Sequence, residues 1–92
     1  MELNEVIENA SLFSKMRKPK SAEDFGDDKT IGLKLKRRGK PFMDLGDYDF
    51  GFFLGEYRDQ WHVGAHMIMS FNPDRLDSYD SLEDLKENWI LD

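Results

Sequence analysis

Residues 49–71, DFGFFLGEYRDQWHVGAHMIMSF, carry the clearest structural pattern in this chain. Apolar side chains occupy every second position from Trp61 to Phe71. A period of two is the signature of a β-strand, whereas a helix would repeat at about 3.6 residues. The part before Trp61 is rich in aromatic residues and glycine. The stretch therefore predicts a β-hairpin with strands over residues 49–57 and 61–71.

The register of this hairpin depends on its turn. A turn at Asp59-Gln60, or a four-residue loop from Arg58 to Trp61, places Glu56 opposite Val63 and makes the apolar positions of the two arms agree. The face toward the core then consists of Phe50, Phe52, Leu54, Val63, Ala65, Met67 and Met69. The other face carries Phe53, Tyr57, His62, His66 and Ile68. A slip of one residue would move every side chain of a strand to the other face, so burial should select this register.

The second face of the hairpin has two alternative roles. If both helices of the domain cover the same side of the sheet, this face is exposed. An exposed face with Phe53, Tyr57, His62 and His66 is typical of a contact surface for a partner protein, or for a second copy of the chain in a homodimer. If the helices lie on opposite sides of the sheet, the same residues belong to the core.

Helices are predicted near both ends of the chain. Apolar residues recur at helical spacing before Pro19, which cannot continue a helix, and they predict a helix over residues 3–16. Ser81 begins a segment with the spacing of a capping box, and it predicts a helix over residues 81–91.

A second hairpin is predicted before the central one. Residues 30–36 alternate between apolar and polar side chains, and residues 42–45 return after a turn at Arg37–Lys40. The following Gly46-Asp47 is either a tight turn or a β-bulge. The chain, residues 1–92, is therefore expected to be a single α+β domain with three to four antiparallel strands between two helices.

Composition excludes several classes of protein. The chain has no cysteine, so it has neither a disulfide nor a thiolate metal ligand. It has no apolar run of roughly 20 residues for a membrane span and no secretory signal near its start, so we expect a cytoplasmic protein. The charge is polarised, because residues 41–92 carry twelve acidic and three basic side chains, whereas residues 15–40 carry ten basic and four acidic ones.

Acidic residues in the C-terminal part are the first candidate for a binding surface. Carboxylates recur at intervals of three or four residues between Asp74 and Glu87, and a helix places such groups about 5–6 Å apart. A rigid acidic domain of this kind can occupy the basic nucleic-acid channel of another protein. The predicted acidic face consists of Asp59, Asp77, Asp80, Asp84 and Glu87.

Several classes of small inhibitory protein have this size and charge, among them nuclease inhibitors, immunity proteins and anti-restriction or anti-CRISPR proteins. Two fragments, SAEDFGDD at residues 21–28 and IGLKLK at residues 31–36, resemble segments of cloacin-type immunity proteins, but they are too short to assign the chain to that family. We therefore expect a protein-binding module that inhibits a basic, nucleic-acid-handling partner.

Basic residues around the first predicted turn are the alternative candidate. Phosphate binding requires clustered cations, and the cluster here consists of Lys34, Lys36, Arg37, Arg38 and Lys40. Nucleic-acid binding through this cluster is the secondary hypothesis. No aromatic RNA-binding motif accompanies it, and the net charge of −6 repels nucleic acid at long range.

Catalysis is not expected from this sequence. His62 and His66 are four residues apart on a predicted strand, which separates them by roughly 13 Å at about 3.3 Å per residue, too far to share one metal ion without other ligands. The glycines match neither the phosphate-binding loop nor the dinucleotide fingerprint, and no serine lies in a nucleophile elbow. The sequence therefore predicts no catalytic residue, metal site or cofactor.

Overall fold

The computed structural model describes residues 2–13, 21 and 24–92. Over those residues two helices accompany a five-stranded antiparallel sheet, so the predicted α+β class is confirmed, with more strands than expected. The helices are α1 (Leu3–Phe13) and α2 (Leu82–Asn88), and the strands are β1 (Lys34–Arg37), β2 (Phe50–Tyr57), β3 (Gln60–His66), β4 (Arg75–Tyr79) and β5 (Trp89–Leu91). The strand order is β4-β3-β2-β1-β5, which places both strands of the central hairpin inside the sheet.

The central hairpin turns at Arg58 and Asp59, whose φ angles are 52° and 63°. Positive φ at both central residues is the type I′ geometry, which matches the twist of the paired strands. Tyr57 consequently pairs with Gln60. The predicted turn at Asp59-Gln60 is wrong by one residue, although the hairpin itself is confirmed.

After the displaced turn, a β-bulge at Leu54 is the second feature that changes the register between β2 and β3. Phe53 pairs with Val63 while Gly55 pairs with His62, so Leu54 is the extra residue on β2. Gly55 has a φ of 78°. A Cβ atom there would lie 2.8 Å from Cδ1 of Ile31, so both the backbone and the packing require glycine at this position.

The predicted inner face of the hairpin is wrong because of this register. Phe50 pairs with His66 rather than with Met69, and Met69 lies beyond the end of β3. Phe53, which the prediction placed on the opposite face, is fully buried and lies on the same face as its partner Val63. The bulge has exchanged the two faces along the part of β2 that precedes it, whereas the change of turn leaves the faces as predicted.

The predicted first hairpin is also wrong. The strand expected over residues 30–36 starts only at Lys34, because residues 28–30 form a 3₁₀ turn. Residues 42–45 do not form a strand, and Phe42–Asp44 is a second 3₁₀ turn. β1 pairs with β2 on one side and with β5 on the other, so no edge of β1 is left for residues 42–45.

Residues 46–49 form the turn that leads into β2. The amide of Asp49 donates to the carbonyl of Gly46 at 3.2 Å, and Oδ2 of Asp49 accepts from the amide of Gly46 at 2.9 Å. Tyr48 has a φ of 65° within this turn. Of the two alternatives for Gly46-Asp47, the tight turn is therefore correct.

The helix predicted over residues 81–91 begins as expected and ends early. Oγ of Ser81 accepts from the amide of Asp84 at 3.1 Å, which is the N-cap that the sequence predicts. The helix ends at Asn88, and the chain continues as strand β5, which pairs with β1. The sequence gives no sign of β5, because its apolar residues continue the helical spacing.

The other predicted elements are confirmed in part. The strand expected over residues 61–71 ends at His66, and the chain then returns as β4, which was not predicted. The helix expected over residues 3–16 is confirmed over Leu3–Phe13, and residues 14–16 lie outside the described residues. Within the described part of the chain, no helix is long and apolar enough to cross a membrane.

Both helices contribute to one buried core. Val6 and Ala10 of α1 are buried, and α1 packs on β2 and β3. Leu85 of α2 is fully buried, and α2 contacts β3, β4 and β5. The ring of Phe25 meets that of Phe53 edge-on, with their centres 5.5 Å apart. Each fully buried large apolar side chain stabilises the fold by about 1.5–3 kcal/mol.

Candidate partner-binding site

The predicted acidic residues do not form one cluster, and only Asp84 and Glu87 lie on α2. Asp59 lies in the turn between β2 and β3, and close to it Oδ1 of Asp80 accepts from Nε2 of Gln60 at 3.2 Å. Asp84 is in the first turn of α2 and Glu87 is in its last, and both are exposed. In the described part of the chain, no basic side chain lies within 4.0 Å of the carboxylates of Asp59, Asp84 or Glu87.

Asp77 does not belong to this acidic surface. Its side chain on β4 is only 15% exposed, and it lies 3.4 Å from Nη2 of Arg37 and 3.4 Å from Nε of Arg75. Its charge is therefore balanced within the fold, so a partner would meet little of it.

Arg37 is held by the fold itself. Its guanidinium carbon lies 4.0 Å from the centre of the Trp89 ring. Nη2 donates to the carbonyl of Tyr48 at 2.9 Å, and Nε lies 3.5 Å from Oδ1 of Asp49. With the contact to Asp77, this guanidinium joins β1, β4, β5 and the turn before β2.

Asp49 is the centre of this ion-pair cluster. Nζ of Lys40 lies 3.0 Å from its Oδ2. Burial by itself would raise the pKa of the Asp49 carboxyl, but the hydrogen bond from the Gly46 amide and the charge of Lys40 outweigh it and lower that pKa. The carboxylate is therefore ionised in the folded protein at neutral pH.

The predicted basic residues do not present a single surface. Arg37 and Lys40 neutralise Asp49, and Nε of Arg38 donates to the carbonyl of Lys86 on α2 at 2.7 Å. Lys34 lies three positions before Arg37 on β1, so the two side chains leave opposite faces of the sheet. Lys36, on the same face as Lys34, is half-buried.

The residues predicted on the second face of the hairpin are mostly buried, although the prediction allowed this face to be exposed. Phe53 and His62 are fully buried, His66 is 4% exposed, and Tyr57 is half-buried. The register also separates them, because Phe53 is on the face of Val63 whereas both histidines are on the other. These residues therefore do not form an open contact surface in this fold.

His62 is a buried link between three strands. Its Nε2 donates to the carbonyl of Tyr57 at 2.9 Å, and its Nδ1 accepts from Oγ of Ser78 at 2.8 Å. Burial lowers the pKa of His62, and the bond to the Tyr57 carbonyl opposes this only in part. A neutral imidazole satisfies both contacts, so this histidine holds β2, β3 and β4 together.

His66 lies among aromatic rings at the other end of β3. Its Nδ1 lies 2.8 Å from the carbonyl of Met67 and must donate to it. The centres of the Phe50, Phe52 and Phe71 rings lie 6.2, 5.4 and 5.8 Å from the centre of the imidazole. Among residues 2–13, 21 and 24–92, no three histidine, cysteine, aspartate or glutamate side chains lie close enough to hold a metal ion.

An exposed apolar segment follows His66, and we call residues 67–71 the apolar loop. Its large side chains are 43, 41, 85 and 60% exposed, in the order Met67, Ile68, Met69 and Phe71. Oδ1 of Asp47 accepts from the amide of Ile68 at 3.1 Å and holds the middle of the loop. Phe71 has a φ of 62°, which turns the chain toward β4. An exposed apolar group of this kind usually marks an interaction surface.

A pocket of about 120 Å³ opens beside the apolar loop. It is lined by Lys34, Leu35, Phe50, Gly51, His66, Ile68, Phe71 and Asp92. Nζ of Lys34 lies 5.6 Å from the centre of the Phe71 ring, so an ammonium group accompanies the exposed aromatic side chain. The pocket and the loop together form the candidate partner-binding site.

The sequence prediction missed this site because the loop resembles a strand. Met67, Met69 and Phe71 continue the alternation of β3 by two-residue steps. The available signal was Ile68, which is apolar at a position where the alternation requires a polar residue. The three consecutive apolar side chains of residues 67–69, which precede the Asn72-Pro73 break, indicate an end of the strand pattern rather than its continuation.

Comparisons with protein-family models, curated proteins and solved structures gave no match to this chain.

Proposed function

We propose that this chain is a protein-binding module whose partner contacts the apolar loop. The observation that carries the proposal is the exposure of Met69 and Phe71, at 85 and 60%, within one short loop. Single exposed apolar residues are common on proteins, but a group of four large ones in five positions is typical of an interface. Methionine suits such a surface because its flexible side chain adapts to different partner shapes.

The charge of the exposed surface indicates the charge of the partner. Asp59, Asp84 and Glu87 are exposed without an ion pair in the described part of the chain, and the net charge of the whole chain is −6. Such a field accelerates encounter with a basic surface and repels an acidic one. The partner is therefore a protein with a basic surface, and a nucleic-acid-handling protein is the class in which that surface is functional.

The specific form of the proposal is inhibition, as in immunity, anti-restriction or anti-CRISPR proteins. Carboxylates along α2 would occupy a site that otherwise binds phosphates. The exposure of Asp80, Asp84 and Glu87, which lie in α2 or just before it, supports this role. Asp77 is excluded from it by its contacts with Arg37 and Arg75.

Affinity capture with paired variants tests the apolar part of the proposal. Met67→Ser/Met69→Ser is expected to lose the partner that the wild-type chain captures from its native host, because the change removes the most flexible apolar contacts. Leu12→Ser is the control, since Leu12 is 79% exposed on α1, away from the loop. Capture of the same partner by the loop variant and the wild type would refute the proposal.

A second pair of variants tests the charge. Asp80→Lys/Asp84→Lys/Glu87→Lys is expected to abolish capture, whereas reversal of three other exposed carboxylates, at Glu8, Asp28 and Glu56, is expected to weaken it much less. Both variants change the net charge equally, so the comparison separates a local contact from long-range attraction. Equal losses would show that only the net charge matters.

The alternative function, nucleic-acid binding through Lys34, Lys36, Arg37, Arg38 and Lys40, has less support. Two of these cations neutralise Asp49, and they would have to leave that carboxylate to contact phosphates. A gel-shift assay with mixed oligonucleotides tests it. Binding that weakens steeply with salt, and that Lys34→Gln/Lys36→Gln reduces, would favour this alternative.

A further inference from the structure

His66 has one nitrogen without a hydrogen-bond partner in the described part of the chain. Nδ1 carries the proton that is donated to the carbonyl of Met67, so Nε2 of the neutral ring is an acceptor. The residue is 4% exposed, yet no described buried side-chain nitrogen or oxygen lacks a partner. Nε2 is therefore reached from outside, and the opening that His66 lines is the pocket beside the apolar loop.

The rest of the pocket is suited to one aromatic ring. Phe50, Ile68 and Phe71 give it an apolar wall, and its volume is about 120 Å³. A cavity of about 150 Å³ lined by such side chains binds benzene. The pocket is partly open to solvent, so a single ring can enter with one edge outside, whereas the two fused rings of tryptophan need more space.

We propose that this pocket binds a tyrosine side chain of the partner, with the phenol hydroxyl donating to Nε2 of His66. Phenylalanine would fill the same space but would leave Nε2 unpaired in apolar surroundings, which is costly. Tyrosine is also among the residues that dominate interface energies, because it combines a large apolar ring with a polar end. The inference rests on the proposed function, since it names the group with which the partner contacts the loop.

The direct test is to titrate the labelled protein with para-cresol and with toluene, the side chains of tyrosine and phenylalanine, and to follow binding by NMR. For such small probes we expect dissociation constants on the order of 1 mM. Para-cresol is expected to bind roughly two- to tenfold more tightly than toluene, the range that one hydrogen bond supplies. It should perturb the imidazole of His66 and the amides of Gly51 and Ile68. Equal or tighter binding of toluene, or changes confined to another surface, would overturn the assignment.

Two variants test which residues of the pocket bind the probes. His66→Phe keeps a ring at the position but removes the acceptor, so the preference for para-cresol is expected to disappear. If that variant does not fold, Phe71→Ala takes its place, because loss of the exposed wall should weaken both probes by the same factor. Unchanged binding to Phe71→Ala would overturn the proposal. A stable wild-type dimer in sedimentation that covers Ile68 and Phe71 would also overturn it, since a second copy would then occupy the loop.

The two proposals fail in distinguishable ways. If para-cresol binds as expected but Met67→Ser/Met69→Ser still captures the partner, the pocket assignment stands and the proposed function fails. If capture requires the loop but toluene binds as well as para-cresol, the function stands and the tyrosine assignment fails.

Discussion

Replacement of Arg37 by methionine separates a structural cation from a partner-binding one. The guanidinium stacks on Trp89, donates to the carbonyl of Tyr48 and contacts Asp49 and Asp77. Methionine keeps much of the apolar stem but removes the charge and the donors. We therefore expect Arg37→Met to destabilise the folded state rather than to affect binding alone.

The expected loss of unfolding free energy follows from the individual contacts of Arg37. In the variant, Asp49 still pairs with Lys40, and Asp77 still pairs with Arg75. The loss of folding free energy is therefore smaller than the roughly 3–5 kcal/mol that breaking a buried ion pair completely would cost. The charged hydrogen bond to the Tyr48 carbonyl is worth about 1.5–3 kcal/mol, and stacking of the partly exposed guanidinium on the buried Trp89 ring about 0.5–1 kcal/mol. With part of the packing retained, we expect a net loss of about 2–3 kcal/mol. In a domain of this size that lowers Tm by roughly 10–20 °C.

Thermal unfolding followed by circular dichroism measures this loss, and Lys36→Met is the matched control. It removes the same charge one position earlier on β1, where no ion pair exists among the described residues, and it should change stability by no more than about 0.5 kcal/mol. A double-mutant cycle with Asp77→Asn should give a coupling of at least about 0.5 kcal/mol. Equal Tm values for the two single variants would refute the structural role and leave Arg37 free to contact a partner.

Two further predictions concern the central hairpin. Because burial holds the pKa of His62 below 6.5, the unfolded chain binds more protons in the acid range, so stability is complete above pH 6.5 and falls as the pH drops through that value. Thermal unfolding between about pH 7 and 5.5 should show that Tm falls with pH, and His62→Gln should reduce this dependence. An equal pH dependence in the variant would assign the titration to another group. Gly55→Ala should lower the urea midpoint more than Gly39→Ala does. Both glycines have positive φ, which costs alanine roughly 1–2 kcal/mol, but only at Gly55 does the new Cβ meet Ile31. Equal losses would contradict that contact.

The basic segment shows why a charge cluster in a sequence is a weak guide to a site. The sequence places Lys34, Arg37 and Lys40 within seven positions, so they look like one basic cluster when only the sequence is considered. In the fold, the turn before β2 brings Asp49 against two of them, while Lys34 leaves from the other face of β1. Charges that pair across strands cannot be recognised without the strand order.

Local signals in the sequence were sufficient for several elements. The period of two predicted the hairpin of β2 and β3, because a half-buried strand needs alternation whatever its partners are. Ser81 predicted the start of α2, because an N-cap depends only on its own first turn. The α+β class and the helix at Leu3–Phe13 follow from the same local periodicities.

The tertiary structure alone decided the register, the edge strands and the candidate site. Arg58 and Asp59 adopt positive φ angles, although neither residue favours them by itself. The paired strands stabilise this conformation, because a type I′ turn matches their twist. Trp89 leaves a helical pattern because pairing with β1 completes the sheet. The bulge at Leu54 and the end of β3 at His66 then leave the apolar loop without a strand partner. These outcomes depend on contacts between residues far apart in the chain, whereas periodicity and capping depend only on near neighbours.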